Sequence, residues 1–145
     1  TREGVVFWDT HAAVLEEISQ RTGVPSAVIV AIIGVETFYG RITGSYRVID
    51  ALTTLAFDYP RRSPFFTREL EQFLILAWES GKDPLALKGS YAGAMGYGQF
   101  MPSSYRAYAR SFEPGGVPDI WDNPADAISS VGHYLNRLIH CLRRG

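Results

Sequence analysis

The sequence predicts a mainly α-helical fold, and three observations support this prediction. First, five of the eight prolines stand where a helix could begin. Proline is tolerated at the first helical position because the N–H that it lacks would have no partner there. Second, glycines, which readily end helices, follow several of the predicted segments. Third, apolar residues recur with helical spacing, and no stretch alternates strongly enough to demand a strand. The five prolines are Pro25, Pro64, Pro84, Pro102 and Pro124.

Each predicted helix rests on a local start or stop signal. Ser, Asp and Asn side chains at the N-cap accept hydrogen bonds from free N–H groups of the first turn. In chain order, the predicted helices are 10–22, which ends before Gly23; 25–39, between Pro25 and Gly40; 50–57, capped by Asp50; 64–80, between Ser63 and Gly81; 84–88, between Asp83 and Gly89; 102–110, from Pro102; and 124–142, after Asn123.

The segment 64–80 has the clearest helical period. Its apolar residues fall on one face, which we expect to pack on the core. Its polar face is expected to be solvated. The apolar face comprises Phe66, Leu70, Phe73, Leu74, Ala77 and Trp78, and the polar face Arg68, Glu69, Glu71 and Gln72.

Composition limits the class of protein. A chain of 145 residues with 46% apolar and 20% charged residues suits one globular domain with a hydrophobic core. The net charge of -1 argues against binding nucleic acid. The single cysteine, Cys141, rules out an intrachain disulfide. No uncharged apolar run reaches the roughly 18 residues that suggest a membrane span.

One carboxylate stands in apolar sequence. Glu36 is the only charged residue between Arg21 and Arg41. A carboxylate taken out of water holds its proton more tightly, and a protonated carboxylic acid is what general acid catalysis needs. Two plainer interpretations stay open at this point: a helix-end Glu that points into solvent, and a buried Glu satisfied by a structural partner.

The second feature is a long uncharged segment, 89–105, rich in glycine, aromatic residues and methionine. Flat rings stack on the apolar faces of sugars, and amide and hydroxyl groups fix their orientation, so this composition favours saccharide binding. The alternative is a tight connection whose Met95, Phe100 and Met101 side chains only fill the core. For Gln99 we expect a buried polar role, because a buried amide needs partners.

Several segments together resemble the lytic murein transglycosylases of the B type. They are Ile33–Thr37, Tyr46–Leu55, Tyr59–Arg62 and Ala92–Tyr105, followed by Trp121–Asp122 and Asp126–Val131. The resemblance covers most of the chain in order. It implies a lysozyme-like fold of the goose-type and lytic transglycosylase kind, in one helical domain, 1–145. Because family members continue past the last helix, this domain is expected to be shortened relative to them.

The resemblance also implies a chemistry. Family members cleave the bond between N-acetylmuramic acid and N-acetylglucosamine without water and leave a 1,6-anhydromuramoyl end. One Glu acts as acid and then as base, and the matching residue is Glu36. The residues that would bind substrate are Ser90, expected beside Glu36; Gln99; Met95, Tyr97 and Phe100, which would shape the groove; Tyr134; and Arg61 and Arg62, which would meet stem-peptide carboxylates.

The resemblance further implies partners and a location. We expect peptidoglycan strands and muropeptides as ligands, envelope proteins as further partners, a monomer, and no nucleic acid. The location would be the bacterial cell envelope, periplasmic or anchored to the outer membrane through a segment outside this chain. We expect no cofactor and no metal. Many relatives carry a calcium loop, but segment 111–119 offers few oxygen side chains and two prolines, Pro114 and Pro118.

Two other functions stay open. The same Glu could direct hydrolysis, as in goose-type lysozymes, or the chain could be a non-catalytic peptidoglycan-binding module.

Overall fold

A computed structural model describes all 145 residues and confirms a mainly α-helical fold. Seven α-helices follow one another along the chain, and two short strands interrupt them. The helices are α1 (Arg2–Thr10), α2 (Ala12–Thr22), α3 (Ser26–Thr37), α4 (Val48–Asp58), α5 (Ser63–Ser80), α6 (Pro102–Tyr108) and α7 (Pro124–Arg144); the strands are β1 (Tyr46–Arg47) and β2 (Lys88–Gly89), and one 3₁₀ turn covers Pro60–Arg62.

Three helix ends carry the signals expected from the sequence, but the predicted caps Asp50 and Ser63 lie inside α4 and α5, which begin earlier, after Arg47 and Arg62. Asn123 caps α7, and its side-chain oxygen accepts the N–H groups of Ala125 and Asp126. Gly23 and Gly81 end α2 and α5 in the left-handed conformation, which glycine adopts without steric penalty.

The core lies where the long helices meet. The helix α4 packs on α5, α5 on α6, and α2 on α7. The first half of α7 is buried, from Asp126 to Gly132, whereas its last eight residues are exposed. Side chains that lose all solvent contact include Leu15, Ile18, Ile33, Leu52, Phe73 and Ile128.

A short row of backbone pairings lies beside the helices. Strands β1 and β2 are antiparallel, with Tyr46 opposite Gly89. The row continues through two isolated bridges, from Gly89 to Met95 and from Met95 to Phe100. Gly44 lies against the backbone of Gly89, so a β-carbon at position 44 would overlap it. This row fixes where the glycine-rich segment crosses the molecule.

One predicted helix is wrong, and one helix was not predicted. Segment 84–88 is a turn followed by strand β2, because Lys88 and Gly89 pair with β1. Both strands have only two residues, too few for an alternating sequence pattern to indicate them. The helix α1, which local signals did not indicate, is capped by the Thr1 hydroxyl and packs on α3.

The faces of α5 also differ from the prediction. Leu74 and Trp78 are exposed, Trp78 to 85%, whereas Glu69 is buried and only 4% exposed. The Glu69 carboxylate accepts the N–H of Ser103 at 3.0 Å, in the first turn of α6. This contact satisfies an N–H group that has no partner within α6.

None of the helices is long and apolar enough on its own to cross a membrane. Only α2 and α3 counted together reach the required length and hydropathy, and the chain bends by 113° at the break between them.

Candidate active site

Glu36 lines a cavity of about 310 Å³. The cavity lies between the end of α3, the start of α6 and the middle of α7. Three other residues predicted to form the site share this cavity: Gln99, Phe100 and Tyr134. Glu36 is the only carboxylate that lines it. The lining is completed by Ile32, Gly98, Met101, Ser104 and Val131, which sequence reasoning did not assign to a site.

The structure corrects the reason for choosing Glu36. Its apolar neighbours in sequence suggested a carboxylate taken out of water, but Glu36 is exposed. Only one face of α3 packs on the core, with Ile29 and Ile33 fully buried, whereas Val35 is 86% exposed. Glu36 therefore stands on the open side of an apolar helix, at its penultimate residue.

The side chain of Gln99 is held by the backbone. Its Nε2 donates to the carbonyl oxygens of Thr43 at 3.2 Å and Gly96 at 3.0 Å. Both partners are acceptors, so they fix which end of the amide is the nitrogen. The amide oxygen has no hydrogen-bond partner in the chain, which leaves it available to a ligand donor. The side-chain amide of Gln99 thus has a fixed orientation, in keeping with its predicted polar role. The backbone of Gln99 is left-handed, with φ 55°.

Aromatic rings form one wall of the cavity. Phe100 meets Tyr134 edge to face, with 5.8 Å between ring centroids, and Tyr134 meets Tyr108 in the same way at 5.2 Å. This geometry is favourable for aromatic pairs and holds the rings in place. Phe100 is only 5% exposed, so Tyr134 offers a ligand the more accessible ring.

The end of α3 is joined to the glycine-rich segment. The hydroxyl of Thr37, the residue after Glu36, donates to the carbonyl of Tyr97 at 2.8 Å and accepts the N–H of Gly40 at 2.9 Å. The N–H of Tyr97 donates in turn to the carbonyl of Ile120 at 3.0 Å. The two walls of the cavity are therefore connected through partly buried hydrogen bonds.

Two predicted substrate-binding residues have structural tasks. Met95 has no exposed surface, so its side chain belongs to the core and cannot contact a saccharide. Its backbone pairs with that of Phe100 through two hydrogen bonds of 2.9 Å. The Ser90 oxygen accepts the N–H groups of Ala92 and Ala94 and makes no hydrogen bond to Glu36. The Ser90 hydroxyl proton has no partner, so its predicted donation to the acid or the substrate stays a prediction.

Tyr97, Arg61 and Arg62 lie outside the lining of this cavity. The ring of Tyr97 covers Gly40, and burial together with the charges of Asp122 and Asp119 raises the pKa of Tyr97. The two arginines form the exposed 3₁₀ turn after α4. The guanidinium of Arg62 lies 4.3 Å from the ring centroid of Phe65. Their predicted contact with stem-peptide carboxylates stays a prediction.

The segment that corresponds to the family's calcium loop is held by a side chain of α7. The buried carboxylate of Asp126 accepts the N–H of Phe112 at 2.8 Å and that of Asp119 at 2.9 Å. Nowhere in the molecule do three His, Cys, Asp or Glu side chains converge as they would to hold a metal ion. The absence of a calcium site in solution stays a prediction.

The unassigned lining residues had signals that single-residue reasoning passed over. Ile32 precedes Glu36 by four positions and Val131 precedes Tyr134 by three, so each shares a helix face with a predicted site residue. Ser104 lies in the first turn of α6, near the end of the uncharged segment 89–105. Its contribution depends on how α6 packs, which the local sequence does not specify.

Comparison with known proteins finds a matching family model, a similar protein and similar solved structures. The family model described as "Transglycosylase SLT domain" matches residues 1–139. The chain is 55% identical over 134 residues to the membrane-bound lytic murein transglycosylase B of Escherichia coli. The aligned region covers 92% of this chain and 37% of that protein.

Solved structures give the same result. The soluble lytic transglycosylase SltB1 of Pseudomonas aeruginosa superposes with a TM-score of 0.92 at 58% identity, over 94% of this chain and 46% of that one. SltB3 of the same organism superposes with a TM-score of 0.89 at 37% identity, over 94% and 36%. SltB3 was solved with NAG-NAM-pentapeptide and also with NAG-anhNAM-pentapeptide. The predicted lysozyme-like fold is confirmed, and the chain spans less than half the length of these relatives.

Proposed function

The chain belongs to the transglycosylase SLT domain family, and from this we propose that it cleaves peptidoglycan between N-acetylmuramic acid and N-acetylglucosamine without adding water. One observation carries the proposal: Glu36 is the single carboxylate in a cavity that also presents the Gln99 amide and the rings of Phe100 and Tyr134. Glycosidases of the ordinary kind use two carboxyl groups that flank the bond. A cavity with one carboxylate suits a reaction in which the same group acts twice.

In the first step, Glu36 protonates the glycosidic oxygen, and the bond from that oxygen to the anomeric carbon breaks. Positive charge develops at the anomeric carbon, and the substrate's own 2-acetamido oxygen stabilises it. The exposure of Glu36 lets a polymer reach the carboxyl group from solvent.

In the second step, Glu36 is ionised and takes the proton of the sugar's 6-hydroxyl. The 6-oxygen attacks the anomeric carbon and forms the 1,6-anhydro ring. Glu36 ends protonated, as it began, so the cycle consumes neither water nor protons. The anhNAM fragment found with SltB3 supports this outcome for a relative of the same fold.

The cavity wall is suited to holding the sugar during both steps. The free oxygen of Gln99 can accept from an N-acetyl N–H or a sugar hydroxyl, and the exposed side of Tyr134 offers a flat apolar surface. As supported by the peptidoglycan fragments bound to SltB3, we propose glycan strands and muropeptides as ligands of this chain. The corresponding location is the bacterial cell envelope.

Product analysis tests the proposal. Purified peptidoglycan is digested with the wild-type chain, Glu36→Gln and Glu71→Gln, and the soluble fragments are identified by mass spectrometry. Glu71 is an exposed carboxylate on α5 and serves as the matched control. We expect anhydro ends from the wild type and from Glu71→Gln. Loss of general acid–base catalysis should slow Glu36→Gln by about 10²–10⁴-fold.

Other results would support the alternatives. Reducing muramic ends alone would mean that water attacks the intermediate and that the chain is a hydrolytic muramidase. Binding to insoluble peptidoglycan without release of fragments would make it a binding module. Equal activity of Glu36→Gln and wild type would remove Glu36 from the reaction.

A further inference from the structure

The residue after the proposed catalytic acid is buried and polar. Thr37 ends α3 and is 1% exposed, so it cannot touch a substrate. Its hydroxyl oxygen lies 2.8 Å from the carbonyl oxygen of Tyr97 and 3.2 Å from that of Ile33. Ile33 is the ordinary partner of a Thr within a helix, four residues back. The shorter bond leaves the helix and reaches the glycine-rich segment.

The backbone beyond Thr37 is strained. Phe38 and Tyr39 both have positive φ, at 48° and 62°, and neither is glycine. Two consecutive left-handed residues with full side chains are unfavourable and persist only where the surroundings impose them. Here the Gly40 N–H donates to the Thr37 oxygen at 2.9 Å and closes the turn. The same hydroxyl therefore holds the strained exit of α3.

The side chain of Tyr39, which belongs to the turn, packs against α1 and α3. Tyr39 folds back so that its ring lies between Gly4 of α1 and Gly34 of α3, where a β-carbon on either glycine would be too close to the ring or its hydroxyl. The ring of Tyr39 also packs on Phe7, with 5.5 Å between centroids. The turn is fixed on its outer side, and Thr37 fixes it on its inner side.

The opposite wall of the cavity is attached to the same turn. The Gln99 side chain donates to the carbonyl of Thr43, in the segment that follows the turn, and to that of Gly96. Two cross-links therefore join the α3 exit to residues 96–99: Thr37 to Tyr97, and Gln99 to Thr43. Of the two, the Thr37 bond lies next to Glu36.

We propose that Thr37 is a positioning residue whose hydroxyl sets the distance between Glu36 and the sugar held by the 96–100 wall. This inference rests on the proposed function and deepens it. The second step depends on this distance, because Glu36 must then lie within reach of the 6-hydroxyl proton. If the acid is displaced, the activated sugar persists for longer and water competes with the intramolecular attack.

Two substitutions separate positioning from simple core filling. Thr37→Val keeps the shape of the side chain but removes the hydroxyl, so the Tyr97 carbonyl and the Gly40 N–H lose their partner. Thr37→Ser keeps the hydroxyl and loses a buried methyl group. A positioning role predicts that Val is the harmful replacement, whereas core filling predicts that Ser is at least as harmful.

Kinetics with a soluble glycan fragment give the first measurement, under conditions where circular dichroism shows each variant to be folded. We expect Thr37→Val to lower kcat by up to about 100-fold with little change in KM, the penalty of a displacement of about 1 Å. Thr37→Ser should stay within a few-fold of wild type. An undiminished kcat for folded Thr37→Val, or equal losses for Val and Ser, would overturn the inference.

The product ratio is the second measurement. Only active molecules contribute to it, so the folded fraction does not affect it. The share of reducing ends relative to anhydro ends should rise in Thr37→Val and not in Thr37→Ser. An unchanged ratio in Thr37→Val would contradict the role assigned to the second step.

A third measurement does not depend on activity and keeps the inference separate from the proposed function. Amide hydrogen exchange followed by NMR should show faster exchange at Gly40 in Thr37→Val, with Ile29 and Ile33 still protected within α3. Unchanged exchange at Gly40 would show that the hydroxyl does not hold the turn, whether or not the chain cleaves peptidoglycan. A wild type without cleavage activity would count against the proposed function alone.

Discussion

Gly23 and Gly40 have similar backbones but very different surroundings. Both have positive φ, 73° at Gly23 and 85° at Gly40. A β-carbon at Gly23 would meet nothing within 4 Å, whereas one at Gly40 would overlap the ring of Tyr97. The pair therefore allows the effect of this contact to be measured apart from the backbone effect.

The backbone term is similar for Gly23→Ala and Gly40→Ala. A left-handed alanine costs about 1–2 kcal/mol, and the lower entropy of the unfolded chain returns about 0.4–1 kcal/mol, so each loses about 1 kcal/mol. Overlap with a packed side chain adds about 1–3 kcal/mol. The Tyr97 ring cannot shift freely, because the backbone of Tyr97 is bonded to Ile120 and Thr37. We therefore expect Gly40→Ala to lose about 2–4 kcal/mol in total.

Urea unfolding followed by circular dichroism measures both free energies, and thermal unfolding gives a second measure of about 3 °C per kcal/mol for a domain of this size. Gly40→Ala should also cleave more slowly at temperatures where it is folded, since Gly40 belongs to the turn after Glu36. Equal destabilisation by the two alanines would refute the reasoning, because it would mean that the Tyr97 ring does not rest on Gly40.

Two further predictions concern buried polar groups. Tyr105 donates to the Pro118 carbonyl at 2.6 Å, and burial, aided by nearby carboxylates, raises the pKa of Tyr105 from 10.0 to about 12. The folded state holds this proton more tightly, so its stabilising contribution is complete below pH 10 and is lost as the pH rises from 10 through 12. Relative to Tyr105→Phe, the wild type should lose about 1–2 kcal/mol over that range in urea unfolding, allowing for solvent screening; parallel pH profiles would contradict this. Asp126→Asn keeps one acceptor oxygen for two backbone N–H groups and should lose about 1–3 kcal/mol of unfolding free energy. The control Asp122→Asn changes an exposed carboxylate and should lose less. Equal losses would count against the role of Asp126.

The fold could be predicted where its signals are local. Four helices are indicated by a single local residue each, because caps and stops act within a few residues. Gly23 ends α2, Pro25 precedes α3, Gly81 ends α5 and Asn123 caps α7. The failures come from partners distant in sequence. Segment 84–88 has a good helix start at Asp83 but pairs with β1, and Glu69 looks like a surface residue until Ser103 brings it a backbone N–H.

The site, too, could be predicted only in part from the sequence. Glu36, Gln99, Phe100 and Tyr134 were assigned from charge, composition and resemblance, and the structure brings them to one cavity. The reasoning for Glu36 was nevertheless incomplete, since an apolar stretch of sequence does not say which face of its helix is buried. Met95 shows the same limit, because composition alone does not separate a core methionine from one that lines a groove.

The row of pairings from Tyr46 through Gly89 and Met95 to Phe100 has a consequence for folding. Tyr46 and Gly89 are 43 positions apart in sequence, with α4 and α5 between them. Closing such a loop is entropically unfavourable until the intervening helices have packed on each other, so we expect the row to form late. We expect it also to open while the helices stay folded. Native-state hydrogen exchange at the Met95 and Phe100 amides would then show a lower opening free energy than in α5. The cavity would then have a lifetime of its own, shorter than that of the helical domain that carries it.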